Sequence, residues 1–414
     1  MRWIRHYWKL FLDDVRHQKL RAFLTLFGII WGSAAVTLLL AFGEGFHRQV
    51  EINMKGLGEN IVIAWPSSTS MPWQGLPKGR RVRTTEEDVE LIRAQVPQIA
   101  RISGERQRGG LRLRRGREAV APDVHGSGPE FQEMRNLIPQ EGGRYLDSLD
   151  LLTKRRTLFI GDKLAQSLFG PEGAKQAVGQ RVMVGGVPFL VVGVMQHKNQ
   201  DSNYSGPDED KATMPLTTFR ALYGQERLDN IVFQVADPKQ VEAAKDGFIR
   251  VLAQRYKFDP ADKQAVAMWD TTEQLKFLDA FFLGFNLFLG IVGTLTLVVG
   301  GIGVSNIMNV VVEERTKEIG IKMALGARRR YVLGQFLFET LLITGAGGAI
   351  GFAIAAGLAK LVGMLPFKEF VGVPVISLQV AAITTVVLGI VGFLAGWFPA
   401  RTAANLKPVE ALRL

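Results

Sequence analysis

Four long apolar segments constrain the fold of this chain more than any other feature. They span residues 21–45, 277–312, 331–364 and 375–400. Each is nearly free of charge and at least as long as the roughly 20 residues that cross a bilayer as a helix. Four such helices with basic flanks are difficult to bury in a soluble core. The sequence therefore predicts an α-helical membrane protein with four transmembrane helices and a large α+β extracytoplasmic domain.

Lysine and arginine in the short flanks predict the orientation of these helices. Basic residues concentrate in 1–20, 313–330 and 401–414, and such flanks remain in the cytoplasm. Both termini are therefore predicted to be cytoplasmic, with residues 46–276 on the outer side of a bacterial cell (inner) membrane. The net charge of +11, from 50 Lys+Arg and 39 Asp+Glu, is interpreted as topology and not as nucleic-acid binding.

Residues 1–20 carry an amphipathic pattern. Aromatic and apolar residues recur at helical spacing, and the lysines and arginines fall largely on the other side; the apolar row is Trp3, Tyr7, Phe11 and Val15. This pattern predicts a cytoplasmic interfacial helix on membrane lipid. The segment after it is predicted to be an uncleaved anchor, because its leader is long and no small-x-small cleavage site follows.

Residues 46–276 predict a core domain of mixed strands and helices. Strands are expected at 60–64, 157–160, 181–184, 189–194 and 231–235, and helices at 85–95, 162–168 and 238–256. The hairpin-rich middle, about 104–210, is predicted to be a subdomain inserted into the other part. Segments 66–83 and 196–210 are expected to be exposed loops. The chain has no cysteine, but a domain of this size builds a core without disulfides.

The second apolar helix is too long for the membrane. A helix over 277–312 extends about 50 Å at 1.5 Å per residue, whereas the hydrocarbon core needs about 30 Å. The excess is predicted to project outward as a stalk near Asp279, beside a first helix that continues past Glu44.

Motifs for catalysis are missing from the sequence. It contains no G-x-x-x-x-G-K-[ST], H-E-x-x-H or G-x-S-x-G pattern. His125 and His197 are expected to be loop residues and not metal ligands. We predict no catalytic residue, no metal site, no cofactor of its own and no enzymatic activity for this chain.

Polar and small residues inside the spans predict helix packing. Glu339 lies inside the third span, and an acid there either carries protons or forms a structural hydrogen bond; Asn306 and Asn309 are its expected partners. Two GxxxG pairs predict close helix contacts: Gly347 with Gly351, and Gly392 with Gly396.

The segment 313–330 forms a charged elbow between the second and third spans. Its expected functional residues are Glu313, Glu314, Arg315, Lys317, Glu318, Ile319, Lys322, Met323 and Gly326. Glu318 and Lys322 are spaced as an i,i+4 ion pair, Ile319 and Met323 share a helix face, and Gly326 suits the helix stop. This pattern favours a docking helix for a soluble partner, with an unoccupied loop as the alternative.

Several motifs together resemble the MacB/FtsX-type permease family of ABC transporters. In the membrane part they are G-x-x-N-I-M (303–308), E-R-x-x-E-I-G (314–320), A-L-G-A-R (324–328), Q-F-L-x-E (335–339) and P-A-R-T-A-A-x-L-x-P-V-E-A-L-R (399–413). In the outer domain, G-D-K-L-A-x-x-L-F-G (161–170), V-G-Q-R-V (178–182) and V-V-G-V-M (191–195) resemble the MacB-type periplasmic core.

The resemblance implies a mechanism and a set of partners. Two permease chains, identical or related, would pair in the membrane above two ABC ATPase subunits, which bind ATP and Mg. Residues 313–326 would be the coupling helix in a groove of the ATPase. Because only about twenty residues precede the first span, the ATPase is expected in trans. Nucleotide-driven closure would move the stalks and periplasmic domains and so act mechanically on substrate outside the spans.

The leading function predicted is efflux from the periplasm or outer leaflet, with an adaptor protein and an outer-membrane exit duct as further partners. Lipoprotein extraction and FtsX-like regulation of cell-wall hydrolases remain alternatives within the family. An ATP-independent receptor that signals through the elbow is the alternative outside it, and a proton-driven transporter using Glu339 is another.

Overall fold

The computed structural model describes residues 19–200, 204–364 and 372–411. They form two compact units: the α/β unit, Glu51–Leu278, and the membrane unit, which comprises the described residues up to Val50 and from Asp279. The interfacial helix predicted over 1–20 lies almost wholly outside the described residues, as does the end of the predicted tail, 412–414.

The helices of the described residues fall into four long ones and a set of short ones. In chain order they are α1 (Lys19–Lys55), α2 (Glu86–Gln95), α3 (Phe131–Met134), α4 (Ser148–Leu152), α5 (Asp162–Phe169), α6 (Gly173–Ala177), α7 (Leu216–Tyr223), α8 (Val241–Tyr256), α9 (Thr271–Glu314), α10 (Thr316–Ala324), α11 (Arg329–Gly363), α12 (Leu378–Ala404) and α13 (Pro408–Ala411). Short 3-10 turns cover Asp208–Asp210 and Pro238–Gln240.

The strands of the α/β unit form one mixed sheet. They are β1 (Ile61–Pro66), β2 (Ile99–Arg108), β3 (Leu113–Arg115), β4 (Glu118–Val120), β5 (Val124–Ser127), β6 (Thr157–Ile160), β7 (Arg181–Val184), β8 (Val187–Val194), β9 (Ala212–Pro215), β10 (Asn230–Val235) and β11 (Val266–Asp270). Their order is β11-β1-β10-β2-β5-β9-β6-β8-β7-β3-β4. The pairs β5–β9 and β6–β8 are parallel, and the other neighbours are antiparallel.

Strand β2 belongs to both halves of this sheet. Its first part pairs with β10, where Ser103 lies opposite Val232, and its last part pairs with β5, where Gln107 lies opposite His125. One core packs α2 and α8 against the β10 side, and a second packs α5 and α7 against the β5 side. The two subdomains therefore share a strand and one continuous sheet.

The inserted subdomain extends further than the expected 104–210. Ala212 and Met214 of β9 and Phe219 of α7 are buried in the same core as β6 and β8, so the insertion continues through α7 to Tyr223. The expected boundary followed the polar loop, whereas the core continues in the strand after it.

Local patterns set most other elements of this unit. The strand expected over 157–160 is confirmed as β6, and all four of its residues are buried. The hairpin turn is Gly185-Gly186, both with positive φ, which glycine adopts without strain. Helix α2 begins after Thr85, which forms a capping box with Asp88. The helix expected over 238–256 begins instead as a 3-10 turn and becomes α-helical at Val241.

The four long helices are apolar enough to span a membrane, and the predicted fold class is confirmed. Helices α1 and α9 extend past both ends of their predicted segments, and α11 begins earlier than predicted. Helix α12 begins three residues later than predicted, at Leu378, and ends later, at Ala404. Helix α1 continues to Lys55, supported by ion pairs one turn apart, Glu44–Arg48 at 2.8 Å and Glu51–Lys55 at 2.9 Å.

Glycines allow α1 and α9 to approach closely within the membrane unit. A Cβ on Gly28 would lie 3.3 Å from the Cα of Gly300, and one on Gly293 would lie 3.0 Å from the Cα of Val36. The two helices also meet beyond their most apolar parts, where His47 Nε2 lies 3.1 Å from the Asp279 carboxylate. Helices α1 and α9 thus pack as a pair over much of their length.

Candidate functional site

The elbow is a short helix with a sharp turn at each end. Arg315 alone separates α9 from α10, and its N–H still donates to the Val311 carbonyl at 3.0 Å. At the other end the Gly326 N–H donates to Met323 O at 3.1 Å and the Ala327 N–H to Lys322 O at 3.0 Å. These two bonds, with φ of +95° at Gly326, form a Schellman stop. The predicted role of Gly326 in ending the helix follows from this geometry.

One face of α10 is buried within the membrane unit. Ile319 is 3% exposed, Gly320 is buried, and Met323 is half-buried against the same apolar core. A Cβ on Gly320 would lie 2.7 Å from the Cβ of Ala411 in α13. This face anchors the elbow to the chain's own C-terminal helix.

The opposite face of α10 is exposed. It carries Lys317, Glu318 and Lys322 at the surface, and Glu313 and Glu314 at the end of α9 are exposed as well. Two apolar side chains, Ile321 at 50% and Leu325 at 84% exposure, stand among these charges.

Ile319 and Met323 share a helix face as predicted, and that face packs inward, whereas Ile321 and Leu325 are exposed. The docking role expected of Ile319 and Met323 stays a prediction. The i,i+4 spacing of Glu318 and Lys322 does not produce an ion pair: both residues are described and exposed, and their charged atoms do not lie within 4.0 Å of each other.

Glu339 has a different partner from the expected one. Its Oε2 lies 3.5 Å from Arg315 Nη1, and both side chains are largely buried, at 17% and 18% exposure. Asn306 and Asn309 are exposed on α9 instead. Helical geometry places the two asparagines on the outer side of α9, so the acid pairs with the cation at the α9–α10 turn.

The two GxxxG pairs form helix contacts within this chain. A Cβ on Gly347 would lie 2.8 Å from the Ile29 side chain, and one on Gly351 would collide with Ser33, both in α1. Gly392 and Gly396 of α12 lie against Thr344 and Thr340 of α11, at 2.6 and 2.8 Å from a built Cβ. Helix α11 therefore packs between α1 and α12 through small residues.

The α/β unit contains a buried cluster of charges that the sequence does not predict. The Arg135 guanidinium donates two hydrogen bonds to Asp208, at 2.8 and 2.9 Å, and Lys198 and Lys211 lie 2.9 and 3.0 Å from the same carboxylate. Burial opposes the charge of Asp208, but these three cations hold its pKa well below the usual value. Burial of Lys198 lowers its pKa to about 8.

A second carboxylate lies beside this cluster. Glu105, fully buried on β2, accepts hydrogen bonds from Tyr204 and Asn230 and pairs with His125. Burial alone would raise the pKa of Glu105, but His125 and Arg135 lower it to about 2. His125 was expected in a loop; it lies in β5 and is 2% exposed. No local pattern marks this cluster, because its members come from several separate elements between Glu105 and Asn230.

These features define a multi-spanning membrane protein with an α/β domain between its first and second spans. Residues 22–251 match the MacB-like periplasmic core domain, and residues 290–408 match the FtsX-like permease C-terminal family. The chain belongs to the MacB/FtsX-type permease family of ABC transporters. By that membership it is an inner-membrane protein with a periplasmic domain.

Curated relatives match almost the whole chain. The macrolide export ATP-binding/permease protein MacB of Rhodospirillum rubrum is 32% identical over 402 residues, which are 96% of this chain and 59% of that protein. The pyoverdine export ATP-binding/permease protein PvdT of Pseudomonas putida is 33% identical over 407 residues, 95% and 57% of the two proteins. The chain thus spans about three fifths of the length of these relatives.

Two solved domain structures are similar to part of this chain. The periplasmic region of MacB from Actinobacillus actinomycetemcomitans aligns with a TM-score of 0.43 at 15% identity, over 56% of this chain and 98% of that one. The extracellular domain of the ABC-type transporter YknZ from Gram-positive bacteria aligns with a TM-score of 0.41 at 19% identity, over 51% and 100%.

Proposed function

We propose that this chain is the permease subunit of a MacB-like ABC transporter, which couples ATP hydrolysis by a separate ATPase to movement of its periplasmic domain. The movement drives efflux of a substrate from the periplasm or outer leaflet. In this proposal ATP and Mg bind to the ATPase and ATP is hydrolysed there. Both termini and the elbow are cytoplasmic in this proposal, because the basic flanks are concentrated there.

The exposed apolar pair on the elbow is the observation that carries this proposal. Ile321 and Leu325 stand on a helix whose other face is fixed by Ile319 and α13. Exposed apolar side chains with a charged rim are typical of a docking surface, and a short helix that presents them fits a groove on a partner. The printed names of the relatives, ATP-binding/permease proteins, favour an ATPase as that partner.

Helix α9 supplies the covalent route for the movement. It runs without interruption from Thr271 to Glu314, 44 residues and about 66 Å at 1.5 Å per residue. Its first turn is fastened in the α/β unit: the Asp270 carboxylate accepts from the Thr272 N–H at 2.8 Å, and Thr271 Oγ1 donates to Ile61 O at 3.0 Å. A displacement of the elbow is therefore transmitted along one helix to the residue that follows β11.

The proposed assembly contains a second permease chain in the membrane, either another copy or a related one. It also contains a periplasmic adaptor and an outer-membrane exit duct. These partners rest on the family alone, and lipid surrounds the exposed apolar faces of the four long helices.

Purification of the intact complex tests the coupling. The chain is tagged, extracted in mild detergent from its own membranes, and assayed for a co-purifying ABC ATPase. Leu325→Asp and Ile321→Asp should each weaken ATPase retention roughly ten- to hundredfold, since burying such a side chain contributes about 1.5–3 kcal/mol. Leu152→Asp is the matched control, because Leu152 is 79% exposed in the α/β unit.

The other functions make different predictions in this experiment. No ATPase with the wild-type chain under several extraction conditions would favour the ATP-independent receptor. An ATPase together with a lipoprotein would favour extraction, and a cell-wall hydrolase would favour FtsX-like regulation. Equal retention in Leu325→Asp, Ile321→Asp and the control would refute the assignment of the elbow.

A further inference from the structure

Three side chains with metal-ligating atoms converge on one edge of the inserted subdomain. Asp162 is the first residue of α5, His197 follows β8, and Glu209 lies in the 3-10 turn before β9. One ligand atom from each lies within 4.8 Å of the others. His197 Nδ1 is 2.9 Å from Asp162 Oδ2 and 3.9 Å from Glu209 Oε2. Residues from three separate elements thus meet at a single point.

Backbone contacts hold these three elements in place. The Gly161 N–H donates to Lys211 O at 2.9 Å, and the Met195 N–H donates to Ile160 O at 2.9 Å. Gly161 also lies so close to the Glu209 backbone that a Cβ would collide with it. Asp208, the neighbour of Glu209, is fixed by Arg135. The ligand atoms are therefore positioned by the fold and not by loose surface side chains.

Two carboxylates meet at this site, and Lys163 balances part of their charge. Asp162 is 5% exposed, and its Oδ1 has no hydrogen-bond partner among the described residues. Lys163 pairs with Glu209 Oε1 on the outer side, which leaves Oε2 toward His197. Asp162 thus has one buried oxygen without a partner among the described residues and presents the other to His197.

We propose that Asp162, His197 and Glu209 bind one Zn²⁺ ion, with water as the fourth ligand. An imidazole nitrogen with two carboxylates suits Zn²⁺, whereas Ca²⁺ and Mg²⁺ prefer oxygen ligands only. Ligands about 2.1 Å from a tetrahedral ion are about 3.4 Å apart, and the observed 2.9 and 3.9 Å fall on either side of this value. The ion takes the place of the hydrogen that His197 Nδ1 and Asp162 share.

Bound zinc connects the segment after β8 to the start of α5 and to the turn before β9. Asp208, the neighbour of Glu209, is already held by the buried cluster. The ion would attach the same segment at a second point, through Glu209. The site is remote from the elbow in sequence and is independent of the proposed ATPase coupling.

Metal content of the full-length chain tests the proposal. The protein is purified in detergent with a histidine-free tag, treated with a chelator, dialysed against ZnCl₂ and analysed by elemental mass spectrometry and calorimetric titration. The wild type should bind one Zn²⁺ per chain with a rise in thermal midpoint. His197→Ala and Glu209→Gln should each lose this ion. His197 is 60% exposed and Glu209 is 17% exposed at its side chain, so neither change disrupts the core.

Asp210→Asn is the matched control. It removes an adjacent carboxylate without removing a ligand, and it should retain one Zn²⁺ and the same rise in thermal midpoint. A wild type that binds no zinc overturns the proposal. Full binding by both His197→Ala and Glu209→Gln also overturns it. If Asp210→Asn lost zinc to the same extent, zinc binding would depend on the overall negative charge and not on the three proposed ligands. That result would also overturn the proposal.

Discussion

Arg315 and Glu339 join the elbow to the third span. The Arg315 guanidinium, at the turn between α9 and α10, lies 3.5 Å from the Glu339 carboxylate, ten residues into α11. Because Arg315 is the single residue between two helices, its ion pair connects three helices at one point. The orientation of α10 therefore depends on α9 and α11 together.

Replacing Glu339 with Gln should weaken this connection without abolishing assembly. The ion pair is largely but not fully buried, so its loss should cost about 1 kcal/mol. We expect the ATPase to be retained and ATP-driven transport to fall by up to about fivefold. Transport and ATPase activity measured in reconstituted vesicles check this.

The proton-carrying alternative predicts a different result for Glu339→Gln. Under that mechanism transport would stop while ATPase binding stayed normal. The size of the loss separates the two cases: a partial loss of transport indicates the structural pair, and a complete loss with normal ATPase binding indicates proton transfer.

The two faces of α10 should respond differently to the same substitution. Met323→Asp places a charge in a half-buried position against the apolar core, so it should lower the thermal stability of the purified chain. Leu325→Asp changes a side chain that is 84% exposed and should leave stability unchanged while it reduces ATPase retention. Thermal unfolding in detergent, followed for both variants, tests this division. Equal destabilisation would contradict it.

A methyl group added at Gly351 should disrupt the packing of α11 on α1. The new Cβ would lie 2.5 Å from the Ile30 carbonyl oxygen and 3.0 Å from the Ala34 nitrogen, and overpacking of this kind costs about 1–3 kcal/mol. Gly345→Ala, in the same helix, is the control, because a Cβ there meets nothing within 4 Å. The thermal midpoint should fall for Gly351→Ala and not for Gly345→Ala. A similar midpoint for both would refute the contact.

Acid should destabilise the α/β unit through Glu105. Its pKa is lowered from 4.5 to about 2 in the folded state, so its stabilising contribution is complete above about pH 4.5 and is lost as the pH falls toward 2. The contribution is at most about 3 kcal/mol. Denaturant unfolding of the full chain followed by near-ultraviolet circular dichroism at several pH values measures it.

Glu105→Gln should reduce the dependence of the free energy of unfolding on pH between about 4.5 and 2. The variant should also be less stable at neutral pH, because His125 and Arg135 lose a buried counter-charge. Glu118→Gln, at an exposed position on β4, should leave the profile unchanged. A wild-type profile that does not vary between pH 4.5 and 2 would contradict the role of Glu105.

Sequence patterns identified the features that depend on near neighbours. Apolar length predicted the four long helices, and β6 and the Gly185-Gly186 turn were confirmed because their signals lie within a few residues. The sequence predicts the elbow as a short helix between two long ones, but it does not predict which of its apolar residues are exposed. The side of α10 that faces α13 is decided by packing with residues about 90 positions away.

Long-range side-chain clusters could not be predicted for the same reason. Asp162 and His197 come together because β6 and β8 are parallel neighbours in the sheet, which brings the ends of both strands to one edge. Glu105 and His125 meet through the pairing of β2 with β5. In the sequence, His125 and His197 are isolated from the acids that they contact, so no motif predicts either pair.

The shared strand β2 has a consequence for how the protein is made. Its partner β10 is separated from it by more than a hundred residues, since Ser103 pairs with Val232. Contacts of such long sequence separation form slowly. As the chain emerges across the membrane, β2 precedes β10 and keeps an unpaired edge until the whole inserted subdomain and β10 have followed. Biogenesis of this protein therefore includes an interval in which an exported β-strand must be protected from aggregation.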